Sequence, residues 1–186
     1  MAKLVYLFIA SLDGYVEDAG GRFDWAAPGE EAHAFANELD AGVGTYLYGR
    51  RMYETMAVWE TDPALAEHSP VTGEFAASWQ AAEKVVYSTT LAEPSTRRTR
   101  IEQSFDADAV RELKADAASD LAVGGAELAG QALAAGLVEE CHAFIAPAIV
   151  GGGKRALPDD LRLDLELTDE RRFADGMVYL HYAIRS

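Results

Sequence analysis

The stretch Leu121-Ala122-Val123-Gly124-Gly125-Ala126-Glu127-Leu128-Ala129-Gly130-Gln131-Ala132-Leu133 decides how this chain reads. Its apolar start, with branched Leu and Val, has the character of a buried strand. Gly124-Gly125 stops that strand, and an Ala-rich, helix-favouring segment follows at once. Two glycines at a strand-to-helix junction let backbone N–H groups come close to a ligand, and a helix start adds positive dipole charge there. That is the outline of a phosphate cradle. A plain turn has the same composition, so the neighbouring segments must decide.

Upstream, Leu4 to Ala10 is continuously apolar, as a strand buried on both faces would be, and ends at Ser11-Leu12-Asp13-Gly14. Tyr15-Val16 resumes an extended segment, which Gly20-Gly21 breaks. Glu30 to Asp40 reads as a helix: acids fill its first turn, and Ala32, Phe35, Ala36 and Leu39 line one face. Thr45 to Tyr48 is a second strand, ending at Gly49-Arg50-Arg51-Met52. Pro63 and Pro70 make Val58 to Gly73 read as a long loop, followed by a short helix over Glu74 to Ala82. Lys84 to Tyr87 is a third strand closed by Ser88-Thr89-Thr90, and Arg100 to Gln103 a minor fourth. Asp106 caps a helix with Val110, Leu113 and Ala117 buried. Downstream of the opening stretch, Glu140 to Ala146 is a strand and Val150 to Arg155 a glycine loop with two cations. Leu163 to Leu167 alternates as a half-exposed strand does, and Asp175-Gly176 joins that region to Met177–Ile184 as a hairpin.

This order predicts one α/β domain over residues 1–186, with a mainly parallel central sheet flanked by helices and a C-terminal antiparallel hairpin. Ligands of such sheets sit at the carboxyl ends of the strands. Four unusual turns fall there: Asp13-Gly14, Gly49-Arg50-Arg51, Ser88-Thr89-Thr90 and Gly124-Gly125. Glycine turns present backbone donors, arginines grip phosphate through paired charged hydrogen bonds, and hydroxyls donate to the same group. With a net charge of -15, the chain is a poor partner for nucleic acid or an anionic membrane, so a local cluster of arginines is informative. One cysteine, Cys141, excludes an internal disulfide framework and a multi-cysteine zinc site. The four histidines show no metal-ligand spacing, and no metal is expected. The N-terminus has no signal-peptide pattern and no apolar run reaches membrane-spanning length, so a cytoplasmic, soluble protein is expected.

Ser11-Leu12-Asp13-Gly14, Tyr48 to Glu54, Ser88-Thr89, Val123 to Ala126 and Ile145 to Gly153 together resemble the dihydrofolate reductase-like superfamily. Within it, the chain is similar to the reductase domain at the C-terminus of the bifunctional riboflavin-biosynthesis deaminase-reductase, the RibD C-terminal family. The resemblance implies NADPH as cofactor and reduction of a small polar substrate, as in 5-amino-6-(5-phosphoribosylamino)uracil reductase. It maps Gly49, Arg50, Arg51 and Met52 to the 2′-phosphate and pyrophosphate, Ser88 and Thr89 to the adenosine phosphate, and Gly124, Gly125, Ala126 and Glu127 to the pyrophosphate. Asp13 would lie beside the nicotinamide and the substrate, orienting the substrate or relaying a proton. Trp25 falls where related reductases carry an active-site tryptophan.

His33 stands where dihydrofolate reductases place an acid, with Glu30 and Glu31 nearby, which argues against folate as substrate. Lys154, with Arg155 beside it, is a candidate contact for a substrate phosphate, with a solvated loop as the competing reading. The zinc-deaminase signature is missing, so the chain corresponds to the reductase half or a stand-alone relative. A homodimer is expected from the resemblance. Reduction of dihydrofolate or another pteridine, a non-catalytic nucleotide-binding module and a dimerisation module are the competing readings.

Overall fold

The computed structural model describes residues 1–185. In chain order the elements are β1 (Leu4–Ser11), β2 (Tyr15–Asp18), a 3-10 turn (Asp24–Ala26), α1 (Glu30–Asp40), β3 (Val43–Gly49), α2 (Arg50–Met56), α3 (Val58–Thr61), α4 (Pro63–Ala66), α5 (Pro70–Ala81), β4 (Glu83–Tyr87) and β5 (Thr99–Glu102). There follow α6 (Ala107–Asp116), β6 (Asp120–Gly124), α7 (Ala126–Ala134), β7 (Glu140–Ala146), β8 (Gly153–Arg155), β9 (Leu165–Arg172) and β10 (Val178–Ile184). The main sheet runs β5-β4-β3-β6-β1-β7-β10-β9. Strands β5 through β7 in that order are mutually parallel, and the β9–β10 hairpin closes the sheet antiparallel to β7. This is the mainly parallel sheet with an antiparallel end that the sequence predicts.

The opening stretch sits at the centre of the sheet. Leu121 and Val123 point to one face, where Leu4, Tyr6, Leu128 and Leu133 bury them against α6 and α7. Ala122 points to the other, among Tyr46, Tyr48, Phe75 and Trp79 on the α2–α5 side. This period of two is what a strand covered by helices on both faces requires. Trp79 is fully buried and its indole Nε1 donates to the Tyr48 hydroxyl at 3.1 Å. A third cluster packs α1 on β7 and β10 through Phe35, Phe144, Phe173 and Tyr179.

Three segments differ from expectation. Residues 58–69 carry helices α3 and α4 rather than a loop, and α5 starts at Pro70, not Glu74. The prolines are helix starts: each occupies a first helical position, behind the caps Asp62 and Ser69. Lys154 and Arg155 lie on β8, which pairs with β2 as a separate two-stranded ribbon, not in an irregular loop. The whole of β9 is exposed, with Leu165 at 41% and Leu167 at 48%, as the edge strand of the sheet.

Asp40 closes α1 and is buried. Burial pushes its carboxyl up to about 7; the nearby Tyr46 hydroxyl, itself buried without a well-formed hydrogen bond, only partly offsets this. A carboxyl whose folded-state pKa is raised binds more protons folded than unfolded between about pH 4 and 7, so it lowers stability as pH rises through that window. Asp40→Asn is therefore expected to stabilise the protein at pH 8 by on the order of 4 kcal/mol and to have little effect near pH 4. Urea unfolding at the two pH values checks this; equal effects at both would contradict it.

Candidate functional site

β3 and β6 are neighbours, with Tyr48 opposite Gly124. A Cβ on Gly124 would lie 2.6 Å from Cε1 of the buried Tyr48 ring, so nothing larger fits beneath the turn. Gly125 adopts φ +92°, a region side chains avoid, and its missing Cβ faces Met52 at 3.3 Å. The two glycines thus serve different needs: close packing, and a sharp entry into α7. Gly125 is the N-cap of α7 and supplies no side-chain acceptor, which leaves the first-turn N–H groups beside Ala126 and Glu127 available to an anion.

α2 starts in the same way behind Gly49, again with no side-chain cap, and the space a Cβ would fill at Gly49 is empty. Arg50 reaches across to the turn after β4: its Nη1 donates to Thr90 Oγ1 at 2.8 Å, while Nε pairs with Glu54 at 3.1 Å. Ser88 Oγ shapes that turn by accepting from the Thr90 and Leu91 amides at 3.2 and 3.0 Å, and Thr89 is exposed on it. The Gly-Arg and Ser-Thr-Thr turns therefore form one surface joined by a guanidinium. Thr90, in the turn the sequence singles out, is the residue of it that meets Arg50. The pairing of Arg50 with Glu54 follows the helical i,i+4 spacing.

The second ribbon lies beside α7. Arg51 Nη2 stands 3.2 Å from Glu17 on β2, and Lys154 Nζ on β8 stands 2.7 Å from Glu127 in the first turn of α7. The hydrogen bond and charge of Lys154, with Arg51 farther off, hold the Glu127 carboxyl below the usual range. Lys154 thus sits at the glycine turn of α7. Glu17 carries no motif in the sequence; only the pairing of β2 with β8 brings it here.

Asp13 ties the turn after β1 to the glycine loop after β7. Its two carboxylate oxygens accept from the Val150 and Gly151 amides at 3.1 and 2.8 Å. A bond from the Ser11 hydroxyl, with those two amides, holds the Asp13 carboxyl below its usual range. Trp25 occupies the 3-10 turn, donates its Nε1 to the Arg22 carbonyl at 3.2 Å and packs on the Phe144–Tyr179 cluster. His33 lies elsewhere: its ring meets Trp59 and Phe75 edge-on, with centroids 6.0 and 5.8 Å away. Burial lowers its pKa and favours the neutral ring. No hydrogen bond or ring contact among the described residues joins His33 to Asp13, Trp25 or Lys154. Burial pushes the Cys141 thiol up to about 11, so it is no nucleophile.

An open α/β sheet carries two uncapped helix starts, an arginine and a hydroxyl turn along its carboxyl ends, an arrangement whose donors and charge suit an anionic group. Residues 2–179 match the RibD C-terminal domain, and the chain belongs to that family. It is 27% identical over 184 residues to the uncharacterized protein YyaP of Bacillus subtilis (strain 168), covering 97% of this chain and 94% of that one. Among solved structures, it resembles a putative riboflavin biosynthesis protein from Shewanella sp. PV-4, with TM-score 0.77, 20% identity and full coverage of both chains. It also resembles the diaminohydroxyphosphoribosylaminopyrimidine deaminase/5-amino-6-(5-phosphoribosylamino)uracil reductase of Thermotoga maritima. That match has TM-score 0.66 and 15% identity, and covers 99% of this chain and 57% of the other. These likenesses establish the dihydrofolate reductase-like fold. No helix among the described residues is long and apolar enough to cross a membrane.

Proposed function

We propose that this protein is an NADPH-dependent reductase of a small polar substrate, of the kind that acts on 5-amino-6-(5-phosphoribosylamino)uracil. The observation that carries this reading is the Arg50–Thr90 bond, which joins two strand-end turns beside two uncapped helix starts. The residues fit the cofactor. Arg50, Ser88, Thr89 and Thr90 offer charge and hydroxyls for a 2′-phosphate. Gly49 leaves the open space that close approach of a pyrophosphate needs, Gly124 and Gly125 shape the tight entry into α7, and Ala126 and Glu127 contribute backbone N–H groups there. NADPH supplies the hydride when bound.

The chain's own residues bind and position. Arg51 and Lys154, released from Glu17 and Glu127, would neutralise added phosphate charge. Asp13, held ionised by its three donors, acts by fixing the glycine loop at the substrate end. His33, neutral and set among aromatic rings, does not replace the acid of a folate site. A homodimer acting on a small molecule in the cytoplasm is part of the same reading; the net charge of -15 supports a partner that is neither nucleic acid nor membrane.

The test is NADPH oxidation by the purified chain with the phosphoribosylamino-uracil and with a panel of carbonyl, imine and pteridine compounds. Turnover with one of them is expected, and none with any would refute a reductase. With an active substrate in hand, Asp13→Asn is expected to lower kcat by roughly 10- to 100-fold, as misplacement of the reacting groups would. Its affinity for NADPH should hardly change, so equal losses in both would remove the positioning role.

A further inference from the structure

At the other end of β7, far along the strand from the glycine loop, Glu140, His142 and His181 converge. Spacing in the sequence hides this group, because His181 comes opposite His142 only through the antiparallel pairing of β10 with β7. The two imidazoles stack with centroids 4.2 Å apart and planes 17° apart. Glu140 Oε2 lies 3.2 Å from His181 Nε2 and 3.6 Å from His142 Nε2, and one ligand atom from each residue falls within 4.8 Å of the others.

We propose that Glu140, His142 and His181 form a site for a divalent transition-metal ion of the zinc class, which pins the C-terminal hairpin to β7.

The distances fit. At metal–ligand bonds of about 2.0–2.1 Å, tetrahedral ligand atoms stand about 3.3 Å apart. Two edges already lie near that value; the third, between the stacked imidazoles, closes when the rings turn out of their stack so that both Nε2 lone pairs point at one ion. Two imidazoles and one carboxylate, with a fourth position for water, make a donor set that zinc-class ions take.

The surroundings also fit. His142 Nδ1 is 2.7 Å from the Tyr179 hydroxyl oxygen; when Nδ1–H donates there, Nε2 turns its lone pair toward Glu140. The other carboxylate oxygen, Glu140 Oε1, accepts from Lys3 Nζ at 2.6 Å, which orients the group and leaves Oε2 for the ion. His181 Nε2 is buried yet has no hydrogen-bond partner among the described residues: the carboxylate is close but out of line. A cation between the three groups satisfies that nitrogen. His181 and Glu140 keep about a fifth of their side-chain surface exposed, enough for an ion to enter. The cluster shares no residue with the proposed NADPH cleft, and the proposal stands independently of it.

Calorimetric titration of the full chain with Zn²⁺ tests it, alongside thermal unfolding with Zn²⁺ and with chelator. We expect one saturable site per chain and a rise in Tm with Zn²⁺. His181→Ala should abolish both. Tyr179→Phe, which keeps the ring in the core and removes only the outer hydroxyl, should weaken Zn²⁺ binding roughly 10- to 100-fold. His68→Ala, on the exposed segment before α5, should bind as the wild type does. Absence of a saturable site in the wild type, or a site unchanged in both His181→Ala and Tyr179→Phe, would overturn the proposal.

Discussion

Replacing Gly153 with alanine is expected to separate β2 from β8 and to lower the affinity for NADPH by at least about tenfold, while the main sheet stays folded. A Cβ at Gly153 would fall 1.9 Å from the Glu17 carbonyl oxygen and 2.8 Å from the Asp18 Cα. Both are backbone atoms of the facing strand, so no side-chain rotation relieves the clash. The φ of +135° adds strain for any residue with a side chain. An isolated two-stranded ribbon has little stability to spare, and overpacking a well-fitted contact costs ~1–3 kcal/mol or more.

The consequences reach the proposed cleft because the ribbon holds the charged residues beside it. Glu17 meets Arg51, and Lys154 meets Glu127 at the start of α7, only while β2 and β8 are paired. The Ala156 amide, which donates to the Gly14 carbonyl at 2.9 Å, also links the end of β8 to the Asp13 turn. None of the residues of β2 or β8 belongs to the main hydrophobic clusters, so the damage should stay local. Fluorescence titration with NADPH reads the first effect and thermal unfolding the second. Unchanged NADPH affinity would show that the ribbon does not frame the cofactor site.

The second large effect concerns Arg50. Arg50→Ala should weaken NADPH by about 2 kcal/mol, or roughly 30-fold, the worth of a hydrogen bond to a charged group. NADH, which lacks the 2′-phosphate, should bind as before. The stability cost is small, because the pair with Glu54 is solvent-exposed at 47% and 49%, and such pairs contribute roughly 0–1 kcal/mol. A variant that loses both cofactors equally would place Arg50 away from the 2′-phosphate. Competitive titration with the two dinucleotides separates these outcomes.

Much of the architecture could be read from local chemistry. Leu121 to Val123 showed the buried strand, Asp106 the start of α6, and Asp175-Gly176 the hairpin, because each depends on residues adjacent in the chain. The prolines misled for a local reason as well: Pro63 and Pro70 suit a first helical position as well as a loop, and only the caps Asp62 and Ser69 distinguish the two. What the sequence could not show depends on pairing between distant strands. Glu17 and Lys154 face each other through β2 and β8, and His142 meets His181 across β7 and β10. The turns at the carboxyl ends of the strands were legible because glycine, arginine and hydroxyl residues are distinctive there. The surroundings of His33 were not, since nothing in α1 reveals that α3 and α5 close over it with Trp59 and Phe75.

An NADPH site at the carboxyl-end turns is the centre of the proposed function. Titration of the wild-type chain with NADPH and NADH, followed by quenching of tryptophan fluorescence, tests it most directly. Saturable binding of one NADPH per chain is predicted, tighter than NADH by at least about tenfold, as a charged phosphate contact requires. No binding of either dinucleotide, or equal binding of both, would contradict it.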